Sequence, residues 1–98
     1  MKILGGYMTS FLIVIERAEN NYSAYCLDDV ACVATGDTID ETLQLMQEAV
    51  VLWVEYTLED GGEIPEPKDL QYYLNSGELE LAPDDILTHV TVNVPEVA

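Results

Sequence analysis

The stretch from Tyr22 to Pro67, YSAYCLDDVACVATGDTIDETLQLMQEAVVLWVEYTLEDGGEIPEP, leaves this chain few ways to fold, because it carries its own start and stop signals. Gly36 and Asp37 end an apolar run. Thr38 can cap a helix with its hydroxyl, and Glu41, three positions on, can reach back to the Thr38 backbone N–H in a capping box. At the far end Gly61 and Gly62 offer positive φ, and Pro65 and Pro67 keep the helix from resuming. The spacing predicts one long helix over Thr38 to Asp60.

Strands are expected on either side of it. Tyr7 to Ile15 (YMTSFLIVI) is rich in β-branched and aromatic residues and nearly continuously apolar, as a central strand covered on both faces would be. Asn20 and Asn21 mark a turn; Tyr22–Cys26 and Ala31–Thr35 then read as two short strands, completing an antiparallel meander. After the helix, Asp69 to Leu74 suits a short helical turn broken by Asn75, Ser76 and Gly77. Ile86 to Val94 alternates its apolar residues with Thr, His and Asn, as a last strand with one buried face would, and Pro95 ends it. The expected fold class is α+β: a β-meander packed on one main helix with a final strand, β-β-β-α-β, in one domain over residues 1–98 with its core in 7–94.

The helix carries more apolar surface than one sheet face covers. Ile39, Leu43, Met46, Val50, Trp53 and Thr57 make a stripe for the sheet, and Leu45, Ala49, Leu52 and Tyr56 make a second beside it, widened by Val51 and Val54. That second stripe is covered either by the segment around Tyr72, Tyr73 and Leu74 or by another subunit. A last strand at the sheet edge offers a different route to self-association, pairing Thr88, Val90, Val92 and Val94 with a second copy. The candidate self-association residues are therefore Leu45, Leu52, Tyr56, Val90 and Val92, in a dimer or tetramer. Leu52→Glu should disperse an oligomer held through the helix and spare one held through the last strand.

Charge narrows the partners. The formal net charge is −16, with only Lys2, Arg17 and Lys68 basic, so a phosphate backbone or an anionic lipid surface would meet repulsion. Direct DNA or RNA binding is not expected, and the acidic surface is either a steering face for a basic protein partner or an ordinary solvated face. Glu16, Glu19, Asp28 and Asp29 are the candidate partner-binding acids. No apolar run reaches the roughly 18 residues of a membrane span, and Met1–Ile15 has no signal-peptide pattern, so a cytoplasmic location is expected. Cys26 and Cys32 match neither a zinc site nor a redox CxxC, and two reduced, mostly buried thiols are expected.

Catalytic signals are sparse. His89 is the only histidine, and the chain shows no nucleophile elbow, phosphate-cradling glycine loop or paired-His metal spacing. The adjacent acids Asp28–Asp29 and Asp84–Asp85 sit in loops, and Tyr7–Ile15 contains no acid, whereas a two-metal nuclease needs carboxylates converging from several elements. No enzyme activity, metal or cofactor is expected.

Tyr22-Ser23-Ala24-Tyr25, Cys32, Gly36-Asp37-Thr38, Glu41, the helix from Leu43 to Tyr56 and Ile64-Pro65-Glu66-Pro67 together resemble the HicB-type antitoxin domain over roughly half the chain. The resemblance implies a partial RNase H-like fold without a nuclease's catalytic acids. It also implies a small basic HicA-type toxin as partner, an mRNA interferase whose active histidine the antitoxin masks. The sequence departs from the family where Leu27-Asp28-Asp29-Val30-Ala31 replaces a Pro-Asp-Leu-Pro-Gly-like loop. It also ends three residues after Pro95, where longer members append a DNA-binding module, so autoregulation through DNA is not expected. Two functions stay open: a minimal antitoxin that occludes such a toxin, or a solitary homo-oligomeric member of the superfamily with a ligand-binding or scaffold role.

Overall fold

A computed structural model describes residues 3–97; Met1, Lys2 and Ala98 lie outside it. The elements run β1 (Ile3–Arg17), β2 (Tyr22–Cys26), β3 (Val33–Gly36), α1 (Ile39–Glu59), α2 (Leu70–Ser76) and β4 (Ile86–Val97). The strands form one antiparallel sheet in the order β3-β2-β1-β4, and α1 lies across one face of it. The α+β class and the single main helix follow the sequence reading, and α2 stands where a short helical turn was expected.

β1 is internal, and Phe11 to Ile15 are buried without interruption. Phe11, Ile13 and Ile15 enter the core shared with Met46, Val50 and Val54 of α1 and Val90, Val92 and Val94 of β4. Leu12 and Val14 alternate with them and are buried on the opposite face. A continuous apolar run is what a strand covered on both sides requires.

The helix ends where its punctuation says. Thr38 is the N-cap in extended conformation, and its hydroxyl accepts from the Glu41 N–H at 3.0 Å. The returning arm lands one residue early: Glu41 Oε1 accepts from the Asp37 N–H at 3.3 Å, not from Thr38. At the C-terminus Gly61 takes φ 77°, and the Gly62 N–H donates to Thr57 O (2.8 Å) while the Gly61 N–H donates to Leu58 O (3.1 Å). Those two bonds form a Schellman motif that satisfies carbonyls the helix leaves open.

The stripe that faces the sheet overlaps the expected one, with Met46 and Val50 buried and Leu43 and Trp53 packed against the core, but it is shifted. The fully buried positions are Thr42, Met46, Val50 and Val54, so the core line is rotated: Val54 is inside and Ile39 is partly exposed. Thr42 is tolerated there because its hydroxyl donates to Thr38 O at 2.7 Å. Gly36, at the end of β3, makes this close approach possible. A Cβ on it would lie 2.6 Å from Thr42 Oγ1 and 2.8 Å from Thr42 N. Backbone cannot yield cheaply, so Gly36→Ala should cost about 2 kcal/mol. In a chain of this size that lowers Tm by roughly 10 °C, measurable by thermal melting followed by circular dichroism.

Several boundaries also moved, and β1 runs from Ile3 to Arg17 where Tyr7 to Ile15 was expected. β3 starts at Val33 rather than Ala31, and α2 extends through Asn75 and Ser76 to a left-handed Gly77. β4 continues through Pro95, which pairs with Gly6. The Leu27 N–H donates to Leu12 O, so Leu12 points its backbone toward β2. By alternation, β4 residues opposite Leu12, Ser10, Met8 and Gly6 point outward. Pro95 is one of these, and its missing N–H faces away from β1, an edge position where proline costs no ladder bond.

Candidate partner-binding surface

α1 leaves a line of apolar side chains uncovered. Leu45, Leu52 (49% exposed) and Tyr56 (61%) lie one above another at seven- and four-residue spacing. Val33 of the edge strand β3, 76% exposed, stands beside them. Between strand and helix runs a shallow groove of about 360 Å³, lined by Ala31, Cys32, Val33, Leu52, Trp53 and Tyr56. Exposed Glu41, Glu48, Glu55 and Glu59 follow the solvent side of the same helix line. The result is an apolar strip with a free strand edge on one side and a row of carboxylates on the other.

The segment around Tyr72, Tyr73 and Leu74 does not cover this strip. Tyr73 is buried elsewhere, its hydroxyl donating to Asp28 Oδ1, while Tyr72 and Leu74 are themselves exposed. Of the other residues proposed for self-association, Val90 and Val92 are only 1% and 2% exposed and belong to the core under α1. They offer no side chain to a second copy, because the alternating face of β4 is turned to the helix. The outer backbone edge of β4 is also partly engaged: Gln47 Nε2 donates to Thr91 O at 2.8 Å. With Pro95 lacking an N–H on that edge, strand-to-strand pairing through β4 is blunted.

The four acids named from the sequence do not form one patch. Glu16 is exposed on β1 opposite Ser23, and Glu19 is exposed in the turn between β1 and β2. Asp28 and Asp29 lie in the loop after β2, at the other end of that strand, roughly 13 Å or more away. Asp29 is exposed, but Asp28 is buried, so it is no solvated steering charge. Its Oδ1 accepts from Tyr73 and from the Lys68 N–H at 2.9 Å, tying the segment before α2 to the loop after β2. Its Oδ2 is buried without a hydrogen-bond partner, a state that typically costs ~1–3 kcal/mol or more for a charged group. Val33, Ala31 and Trp53 were not anticipated as surface contributors. An apolar Val33 alternating with inward Cys32 and Ala34 was the available signal.

Burial shifts three groups near this loop. The Cys26 thiol is pushed up to about 11, first by desolvation, and Cys32, a free thiol like Cys26, is raised by the same cause. The Tyr73 phenol is raised by desolvation and by its bond to Asp28. Groups whose folded pKa is raised hold a proton that the unfolded chain releases earlier, so their stabilisation is intact below the unfolded value and lost as pH climbs through the folded one. Stability should therefore fall as pH rises from about 9 toward 11, by several degrees of Tm in melts across that range. Cys26→Ala should flatten part of the slope.

Among the described residues, no group of three or more His, Cys, Asp or Glu side chains stands close enough to hold a metal ion. His89 is exposed on β4. No described helix is long and apolar enough to cross a membrane.

A four-stranded antiparallel sheet carries one long helix, and an apolar strip on that helix is bordered by acids. Residues 11–97 match the model of the HicB-like antitoxin family of bacterial toxin–antitoxin systems, and the chain belongs to that family. A protein of Haemophilus phage HP1, described as an uncharacterized 14.9 kDa protein of the rep–hol intergenic region, is 32% identical over 82 residues. Those residues are 84% of this chain and 59% of the phage protein, so the chain spans about three fifths of that relative. A chain of a solved HicA3 and HicB3 toxin–antitoxin complex has the same fold, with a TM-score of 0.65 at 24% identity, over 84% of this chain and 95% of that one.

Proposed function

We propose that the chain neutralises a small basic ribonuclease toxin of HicA type by lying over it with the α1–β3 strip. The observation that carries this reading is the combination of exposed Leu52, Tyr56 and Val33 with a carboxylate row on a chain of net charge −16. Apolar side chains clustered at the centre of a contact supply most of the affinity, and surrounding charge speeds encounter and selects the partner. A basic protein satisfies both parts. The antitoxin needs no catalytic group of its own: occlusion requires only that the toxin's RNA-binding face be covered.

A second copy of the chain is the competing occupant of the same strip, and it meets a charge of −16 on both sides. The two are separated by sedimentation of the chain alone and with a purified HicA-type toxin, at ~50 mM and ~500 mM salt. The proposal predicts a heteromeric complex whose association slows as salt rises, because exposed charge is screened beyond a Debye length. A homo-oligomer that excludes the toxin would replace it with the solitary-protein reading.

A further inference from the structure

Beside the loop after β2 lies a cleft of about 210 Å³, lined by Asp28, Asp29, Glu66, Glu78, Lys68 and Tyr72 among others. We propose that this cleft is a receptor for a single arginine side chain of a partner protein. Four acidic residues and Lys68 line it, and one of the four acids, Asp28, is 92% buried with Oδ2 unpartnered. A buried carboxylate oxygen without a donor is a standing demand for one, and charged donors answer it best. The other wall is aromatic. The chain's own Lys68 ammonium stands 5.6 Å from the centre of the Tyr72 ring, which marks that face as attractive to a cation. A planar guanidinium fits the pair of walls better than an ammonium, since it stacks on an aromatic face, is weakly hydrated and presents donors in a fork. The acids do not converge as a metal site would, so the ligand is an extended organic cation. Glu66, Lys68, Tyr72 and Glu78 at the mouth are exposed side chains that can make way.

The inference stands apart from toxin neutralisation, and its test uses no toxin. The ¹⁵N-labelled full chain is titrated at low salt with the capped tripeptide acetyl-Gly-Arg-Gly-amide and, in a parallel arm, with spermidine. Shifts concentrated in Leu27–Asp29 and Lys68–Tyr73, with the peptide at least fivefold tighter than spermidine, support the proposal. Asp28→Asn should weaken the peptide at least fivefold. Because that change touches a buried group, Lys68→Ala decides the matter where Asp28→Asn does not fold. It removes only an exposed side chain, keeps the backbone N–H that Asp28 accepts from, and should tighten the peptide two- to fivefold by vacating the Tyr72 face. Arg17→Ala, which changes net charge equally at the far end of β1, should leave affinity unchanged. Shifts spread evenly over the acidic surface, equal binding of spermidine, or equal effects of Lys68→Ala and Arg17→Ala would overturn it.

Discussion

Replacing Leu52 and Tyr56 together by glutamate is expected to weaken binding to a HicA-type toxin by about a thousandfold, on the basis that central contact residues are worth ~2 kcal/mol or more each. The change acts twice: it removes apolar area from the middle of the strip and places charge where the contact must be dry. The fold should tolerate it, since both side chains are about half exposed or more and glutamate is a good helix former. Titration calorimetry with the toxin, alongside circular dichroism of the free variant, separates the two effects. An unchanged affinity in a folded double variant would remove the strip from the interface.

The largest effect on folding should come from Phe11→Ala, with a loss of about 3–5 kcal/mol, set against a total stability of roughly 5–15 kcal/mol for a domain. Phe11 is wholly buried in the internal strand, opposite Val90 and within the core that Met46, Val50 and Val54 close from above. It sits in the core that β1, β4 and α1 share, so the space it vacates cannot collapse without moving these elements. Denaturant unfolding should show a midpoint falling by a third or more with little change in slope; a loss under ~1 kcal/mol would mean that the core repacks around the gap.

Much of the backbone was legible because its signals are local. β2 was read to the residue, and both ends of α1 were set by Thr38 and the Gly61–Gly62 pair, whose roles need no knowledge of the rest of the chain. The phase of α1 was legible only in part. Apolar residues occur nearly all round this helix, so several stripes suit the period, and the buried one contains Thr42, whose hydroxyl is satisfied within the helix. Val90 and Val92 were assigned to a second copy for a related reason: alternation shows that β4 has one apolar face, not which way it turns. Pro95 read as a stop, yet its register opposite Gly6 points the missing N–H off the sheet. Asp28 could not be seen as buried at all, since its partner Tyr73 lies 45 positions away and no local pattern joins them.

On the surface, the second apolar stripe was read correctly as excess: Leu45, Leu52 and Tyr56 remain exposed. What sequence reasoning lacked was its neighbour. Only the sheet order, with β3 at the edge, brings Val33 alongside Leu52 and turns a helix stripe into a groove. The four acids grouped from the sequence come apart for the same reason, because β2 separates Glu16 and Glu19 from Asp28 and Asp29.

The most direct measurement is RNA cleavage by a purified HicA-type toxin in the presence of increasing amounts of the chain, with the Leu52→Glu/Tyr56→Glu variant in parallel. Occlusion through the α1–β3 strip predicts that cleavage stops at a fixed stoichiometric ratio of the native chain and continues with the variant. Cleavage that persists at a large excess of folded native chain, or that both proteins stop equally, would contradict it.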